Sequence, residues 1–261
     1  MHSLVFCATK IPMRRFYLQQ EALSTDRIEV IGAEARHITS VLRLKPGQAV
    51  EFFDGKGAIF SAVLEKTEKN LVTAVITAVR HDGGVAVSPL TVAQCLLKGK
   101  KMDLLIQKAT ELGVHSFMPI VSRYCENHGD RRHQEERWQR IMIEACKQCH
   151  RAAPMLIEPV AALAQADFSA CTHRLAAWEQ EQSDALPTSF IEHPGAICLF
   201  LGPEGGLHGD DLQILQQQQF ATFSLGPKIL RGETAALAAM SIIQYLTGTL
   251  QPAAGTDPDP A

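Results

Sequence analysis

The chain has 261 residues, 46% of them apolar, and a formal net charge of -3. That is long enough for one large or two modest domains and too apolar for a disordered polypeptide. The modest total hides an asymmetry: residues 1–151 hold 22 of the 25 lysines and arginines against 16 acids, while the remainder holds 3 against 12. A basic front half fits contact with a polyanion, because phosphate attraction is local and driven by counterion release. Ordinary charge segregation between domains is the alternative. Seven cysteines without regular spacing argue for a reducing compartment rather than a disulfide framework.

Residues 1–12 offer only Leu4, Val5 and Phe6 as an apolar core, too short for a secretory signal, and Phe6 stands where a lipoprotein Cys7 would need a small residue. A cytoplasmic protein is expected. Val50–Phe53, Ile59–Leu64 and Leu71–Val79 read as strands joined by turns at Asp54-Gly55-Lys56-Gly57 and Lys69-Asn70, a small β-rich domain. Arg36, Arg43 and Lys45 flank the segment before it and form a candidate phosphate-facing edge, with solvated surface charge as the ordinary alternative. His81-Asp82-Gly83-Gly84 marks a boundary.

The alternation then changes to strand and helix: Leu90–Leu97, Met102–Leu112 with Gly113 as C-cap, and Phe117–Val121. This predicts a mainly parallel sheet covered on both faces. Lys98-Gly99-Lys100-Lys101, at a strand-to-helix corner, can hold phosphates or be a solvated turn. Lys108 and Glu111 are spaced as a surface pair. A helix from about Gln134 to Ala152 would bury Trp138, Ile141, Met142, Ala145 and Cys149, and place Glu144, Gln148 and Arg151 along another face. Cys146-Lys147-Gln148-Cys149-His150 imitates a haem attachment site but lies mid-helix with no export signal. Cys125 and His128 with Cys146 and Cys149 imitate a zinc spacing, although buried free cysteines account for it equally; no metal is expected.

Ala196–Leu201 reads as a buried parallel strand leading into Gly202-Pro203-Glu204-Gly205-Gly206, a loop whose amides can approach a small ligand. A second such loop, Leu225-Gly226-Pro227-Lys228-Ile229-Leu230-Arg231-Gly232, precedes a helix beginning at Glu233, with Gly232 as N-cap. That helix is apolar on every face through Leu246 and shorter than the ~20 residues needed to cross a bilayer. Its cover must be its own sheet or a partner subunit. No triphosphate-binding or dinucleotide-binding glycine motif is present.

The two glycine loops, together with Met13-Arg14-Arg15-Phe16, the run Ile106–Val114 and the run Glu144–Arg151, resemble the RsmE family of ribosomal RNA methyltransferases. The likeness extends from Met13 to about Thr249. It implies an α/β fold of SPOUT type, a parallel sheet with a deep C-terminal trefoil knot, plus a small PUA-like β-barrel at the N-terminus. The expected division is an extension at 1–12, the RNA-binding barrel at 13–82, the methyltransferase domain at 83–250 and a disordered tail at 251–261. The cofactor implied is S-adenosyl-L-methionine, held by Leu201, Gly202, Pro203, Glu204, Gly205 and Gly206 from one loop and Leu225, Gly226, Pro227, Ile229 and Leu230 from the other. The substrate implied is 16S ribosomal RNA in the small subunit, methylated at N3 of a uridine, by a homodimer that meets no membrane.

N3 of uracil carries its proton at neutral pH, so the nucleophile must lose it before or during transfer. Arg231 is the candidate for stabilising the anion of the base, or else forms a structural ion pair with Glu233 or a helix-end contact. Glu233, Glu204 or water remain open as the base. Arg14, Arg15, Arg36, Arg43, Lys98, Lys100 and Arg151 are the expected RNA contacts. Two positions depart from the family pattern: Gly232 stands where a threonine is usual, and Arg123-Tyr124 where an acid and an arginine follow Pro119. A non-catalytic RNA-binding assembly factor on the same fold is the second reading.

Overall fold

Stretches rich in β-branched and aromatic residues form the first five strands of the computed structural model, which describes residues 13–18, 23, 26–82, 88–125, 131–181 and 185–251. The expected extension and most of the expected tail therefore lie outside the described residues, as do Gly83, Gly84 and His128. The chain divides into two units, Met1–Gly83 with Cys146–Pro154, and Gly84–Ala145 with Met155–Ala261.

In the first unit, β1 (Arg15–Tyr17), β2 (Arg27–Ile31), β3 (Ala49–Phe53), β4 (Ala58–Glu68) and β5 (Leu71–His81) make one curled sheet in the order β1-β3-β4-β5-β2. Register shifts near Ser61 and Leu64 bend the long β4–β5 pair, as bulges do. Phe16, Phe52, Ile28, Ile38 and Val72 fill the interior. Helix α1 (Gly32–Arg36) runs straight into a π-helical turn, His37–Val41.

Arg15 stands in β1 with its side chain 1% exposed, 3.7 Å from the Glu51 carboxylate. Its guanidinium carbon lies 5.2 Å from the centre of the Phe53 ring. Arg80 donates to the other Glu51 oxygen at 2.8 Å. Burial lowers the Arg15 pKa and the Glu51 charge opposes that shift. The expectation of Arg15 as a phosphate contact is corrected here, because its charge is turned into the sheet. Replacing Glu51 by alanine should cost about 3–5 kcal/mol, since it strands a buried cation. Denaturant titration checks this, and a change under about 1 kcal/mol would contradict it.

In the second unit every paired strand is parallel: β6 (Leu90–Cys95), β7 (Ser116–Val121), β8 (Leu156–Ile157), β9 (Ala161–Ala162), β10 (His173–Ala177), β11 (Ile197–Leu201) and β12 (Ala221–Phe223). Their order is β12-β10-β11-β6-β7-β8, with β9 also beside β7. All five residues of β11 are buried, the signature of a strand covered on both faces. The helices are α2 (Lys101–Glu111), α3 (Arg131–Cys149), α4 (Ser189–Glu192), α5 (Gly209–Gln217) and α6 (Gly232–Leu246). Helix α6 packs on α2 and β11, and its buried Gln244 donates to the Leu112 carbonyl at 2.7 Å. Lys108 and Glu111 form the expected pair at 2.8 Å.

Three details of the helices differ from the expected pattern. Helix α3 stops at Cys149 because His150 adopts a φ of 63°, a left-handed turn that a helix cannot continue. Arg151 is thus off the helix, and it donates from Nε to the Ala153 carbonyl at 2.6 Å instead of extending the Glu144–Gln148 face. Cys146, not Cys149, is the fully buried cysteine of the pair. Helix α6 is also not covered all round within one chain, because Ile242 and Tyr245 are 43% and 59% exposed.

Candidate active site

One row of register partners crosses the carboxyl end of the second sheet. Gln94 of β6 pairs Leu201 of β11, Leu201 pairs Ala177 of β10, and Ala177 pairs Phe223 of β12. Four loops therefore leave the sheet at one edge, where ligands of open parallel sheets bind. The two glycine loops are separated by a single strand, roughly 10 Å at the usual strand spacing. Between them lies a loop the sequence did not single out, Trp178-Glu179-Gln180-Glu181.

The loops interlock through short contacts. Gly206 has a φ of 75°, and a Cβ there would lie 2.6 Å from a Glu179 carboxylate oxygen. Thr222 donates its hydroxyl to Glu181 at 2.7 Å, and the Trp178 N–H bonds the Phe223 carbonyl at 3.0 Å. A Cβ on Gly205 would meet Tyr124 Cβ at 3.1 Å, so the aromatic side chain lies against the Gly205 backbone. Tyr124 also meets His208 edge-on, with ring centres 5.5 Å apart. Behind the loop, Arg123 N–H and His208 N–H both point to the buried Asp211 carboxylate.

In the second glycine loop, Gly226 takes a φ of 107° and its N–H donates to Ser224 Oγ at 3.2 Å. Ile229 is 86% exposed, an apolar side chain held out on a loop, while Leu225 and Leu230 are half-buried. Arg231 is the N-cap of α6, with no side-chain cap bond, and helical geometry begins at Gly232 itself, one residue earlier than expected. Gly232 sits against Leu97, where a Cβ would be 3.3 Å from the leucine methyl group.

Arg231 and Glu233 do not pair with each other. Glu233 is bound by Lys101 Nζ at 3.3 Å, and the same ammonium group lies 3.1 Å from Glu204. Glu204 also accepts the Lys98 N–H at 3.0 Å. Hydrogen bonding to Glu204 raises the Lys101 pKa, desolvation opposes the rise, and hydrogen bonding to Glu233 adds to it. Burial would raise the Glu204 carboxyl, but the Lys98 N–H, its own N–H and Lys101 hold it below the ordinary value. The lysine contribution is full below 10.5 and lost as pH rises through its elevated pKa; the glutamate contribution is full above 4.5 and lost as pH falls through its depressed one. Glu204 is therefore a carboxylate at neutral pH and a weak proton acceptor.

Gln94, fully buried at the end of β6, donates to the carbonyls of Cys95 and Gly202, at 2.9 and 3.3 Å. Its side-chain oxygen has no hydrogen-bond partner among the described residues. Cys125 sits close by in the turn after β7. A hydrogen bond from Cys95, opposed by burial and aided by Ser122, brings its thiol down to about 6. Among the described residues no group of three or more His, Cys, Asp or Glu is placed to hold a metal ion.

The expected RNA contacts divide by exposure. Arg14, Arg36 and Arg43 are exposed on the first unit, Arg43 at a φ of 53°, and Lys98 and Lys100 are exposed on the second. Arg15 and Arg151 are drawn into the first unit, where burial lowers the pKa of both. Helix α3 adds basic residues the sequence reading passed over, among them Arg137, which pairs with Asp103, and the exposed Arg140.

Family models match both halves of the chain: an RNA methyltransferase domain over residues 86–244 and an RNA methyltransferase PUA domain over residues 30–77. The ribosomal RNA small subunit methyltransferase E of Bacillus subtilis is 28% identical over 256 residues, spanning 92% of this chain and 99% of the relative. A crystal structure of the Neisseria gonorrhoeae ribosomal RNA small subunit methyltransferase E, bound to S-adenosyl methionine, superposes with a TM-score of 0.80 at 32% identity, covering 90% of this chain and 98% of that one. A Legionella pneumophila putative methyltransferase, in complex with the same cofactor, gives 0.81 at 27%, with 90% and 98% covered. With a family model spanning most of its length and a relative of this identity matched nearly end to end, the chain belongs to the RNA methyltransferase family that includes the ribosomal RNA small subunit methyltransferases E.

Proposed function

We propose that this chain transfers the methyl group of S-adenosyl-L-methionine to N3 of a uridine in 16S ribosomal RNA of the small subunit. The observation that carries the reading is the register row Gln94–Leu201–Ala177–Phe223, which brings both glycine loops and the Trp178–Glu181 loop to one sheet edge. The residues fit the cofactor. Gly226 has open space where a Cβ would stand, Gly205 and Gly206 let Tyr124 and Glu179 close on the first loop, Ile229 and Leu230 offer apolar cover, and the buried Gln94 oxygen has no hydrogen-bond partner among the described residues. When bound, the cofactor supplies an electrophilic methyl group on a sulfonium.

The chain's own residues do the rest. Leu201–Gly206, with Leu225–Pro227, Ile229 and Leu230, hold the donor and fix its direction of approach. Arg231 stands exposed at the mouth of α6, with no side-chain cap bond, and stabilises negative charge on the uracil ring as N3 loses its proton. Glu233 keeps the two loops in place through Lys101, and with Glu204 held ionised in the same tie, water is the better candidate for accepting the proton. Chain path supports the knot: from β12 at the sheet margin the chain returns to α6, packed on β11 and α2. We assign residues 13–82 to the PUA-like RNA-binding barrel and 83–250 to the methyltransferase domain.

The open stripe of α6, Ile242 and Tyr245, supports a homodimer through this helix. No helix among the described residues is long and apolar enough to cross a membrane, and a ribosomal RNA substrate supports a cytoplasmic enzyme. Arg14, Arg36, Arg43, Lys98 and Lys100 are the phosphate contacts in this reading. Five such contacts give a slope of roughly -4 in log affinity against log salt concentration. Filter binding to small-subunit RNA measures it, and a flat response would contradict the assignment. Titration of the purified chain with S-adenosylmethionine tests the function itself: saturable binding is expected, and its absence would favour an RNA-binding assembly factor.

A further inference from the structure

We infer that Lys101 is a positioning residue for the methyl-donor site: a single ammonium group that sets the spacing between the Gly202–Gly206 loop and the first turn of α6. The inference deepens the methyltransferase reading and rests on it. Lys101 opens α2 and belongs to the run Lys98-Gly99-Lys100-Lys101, which by sequence alone is a turn for phosphates. Its charge is instead directed at two protein carboxylates, 3.1 Å from Glu204 and 3.3 Å from Glu233.

Three segments that leave three different strands meet at this one nitrogen. Glu204 lies in the loop after β11, Glu233 follows the loop after β12, and Lys101 follows β6. The backbone supports the same junction, with the Lys98 N–H donating to Glu204 and Gly232 seated on Leu97. Among the described residues no other ion pair reaches either carboxylate.

A partly exposed ion pair contributes little to global stability. Its removal has a different consequence here. Two carboxylates separated by no more than the sum of their distances to Lys101 would face each other without a cation between them. Like charges at that range repel, and both loops contain glycines in left-handed conformations that let the backbone yield. The loops would part, and donor affinity would fall before the fold did.

The test uses the full chain in wild-type, K101Q, K101R and K101Q/E233Q forms, with calorimetric titration of S-adenosylmethionine and binding of small-subunit RNA measured on each. K101Q is expected to weaken donor binding about tenfold or more and raise the donor KM, the size of effect that loss of loop alignment gives, with RNA affinity within about twofold. K101R should restore most of the donor affinity, and K101Q/E233Q should recover part of it because the repelling charge is gone. Unchanged donor affinity in K101Q would overturn the inference, as would a loss confined to RNA binding, or K101R behaving no better than K101Q. If K101Q does not fold, K101R against wild type and the double variant still decide. Failure of the wild-type chain to bind S-adenosylmethionine would sink the donor-site reading itself, an outcome distinct from a lysine with no effect.

Discussion

Arg231→Ala is expected to lower kcat for methyl transfer by about 10²–10³-fold, the usual consequence of removing one preorganised charge partner from a developing anion. Cofactor affinity should stay within a few-fold, because Arg231 is exposed at the N-cap of α6 and the loop is held by Lys101 and Gly226 rather than by the guanidinium. The structure removes the competing explanation of an Arg231–Glu233 ion pair, since Glu233 is bound by Lys101. Steady-state kinetics separate the two effects: a fall in kcat with KM for the donor preserved means the charge acts in the transition state. Near-normal turnover would take Arg231 out of the mechanism.

Gly226→Ala should weaken cofactor binding by about tenfold or more. A φ of 107° lies where L-residues are strained, at a cost of about 1–3 kcal/mol. Each 1.4 kcal/mol paid when the loop adopts its binding form is about tenfold in affinity. No atom lies within 4 Å of a Cβ added there, so the effect is conformational and not a clash. Gly209→Ala is the matched control, with equal open space and no positive φ; it should bind the cofactor as the wild type does. Equal affinities for the two variants would mean that the Gly226 conformation is irrelevant to the site.

Glycine and alternation made parts of the molecule readable in advance. The strands β3, β4 and β5 alternate or run apolar between clear turns, and the first glycine loop follows the apolar strand β11. The middle loop was not readable, because its strand β10 carries Arg174 in an otherwise short apolar run. That guanidinium donates to the Cys171 and Gln218 carbonyls, so a residue that looks like a strand breaker is absorbed by local backbone. Strand β12 has three residues, too few for any periodicity.

Charge was the least legible property. Arg15, Arg151 and Lys101 all sit in basic motifs that suggest phosphate, and each is committed to the protein instead: to Glu51, to the Ala153 carbonyl, and to Glu204 with Glu233. Glu204 and Glu233 lie more than a hundred residues from Lys101 in sequence, and only the parallel register of β6, β11, β10 and β12 brings them to it. The all-round apolar pattern of α6 was readable as a demand for cover. Which side of the helix stays open within one chain became visible only in the structure, at Ile242 and Tyr245.

The most direct measurement is to incubate the purified chain and labelled S-adenosylmethionine with small-subunit particles that lack the modification, then map the nucleotide and atom that gain a methyl group. A single 16S uridine carrying the label on N3 is the predicted result. Label on a ribose hydroxyl, on a ring carbon or on another base would contradict it, as would no transfer by a chain that binds the cofactor.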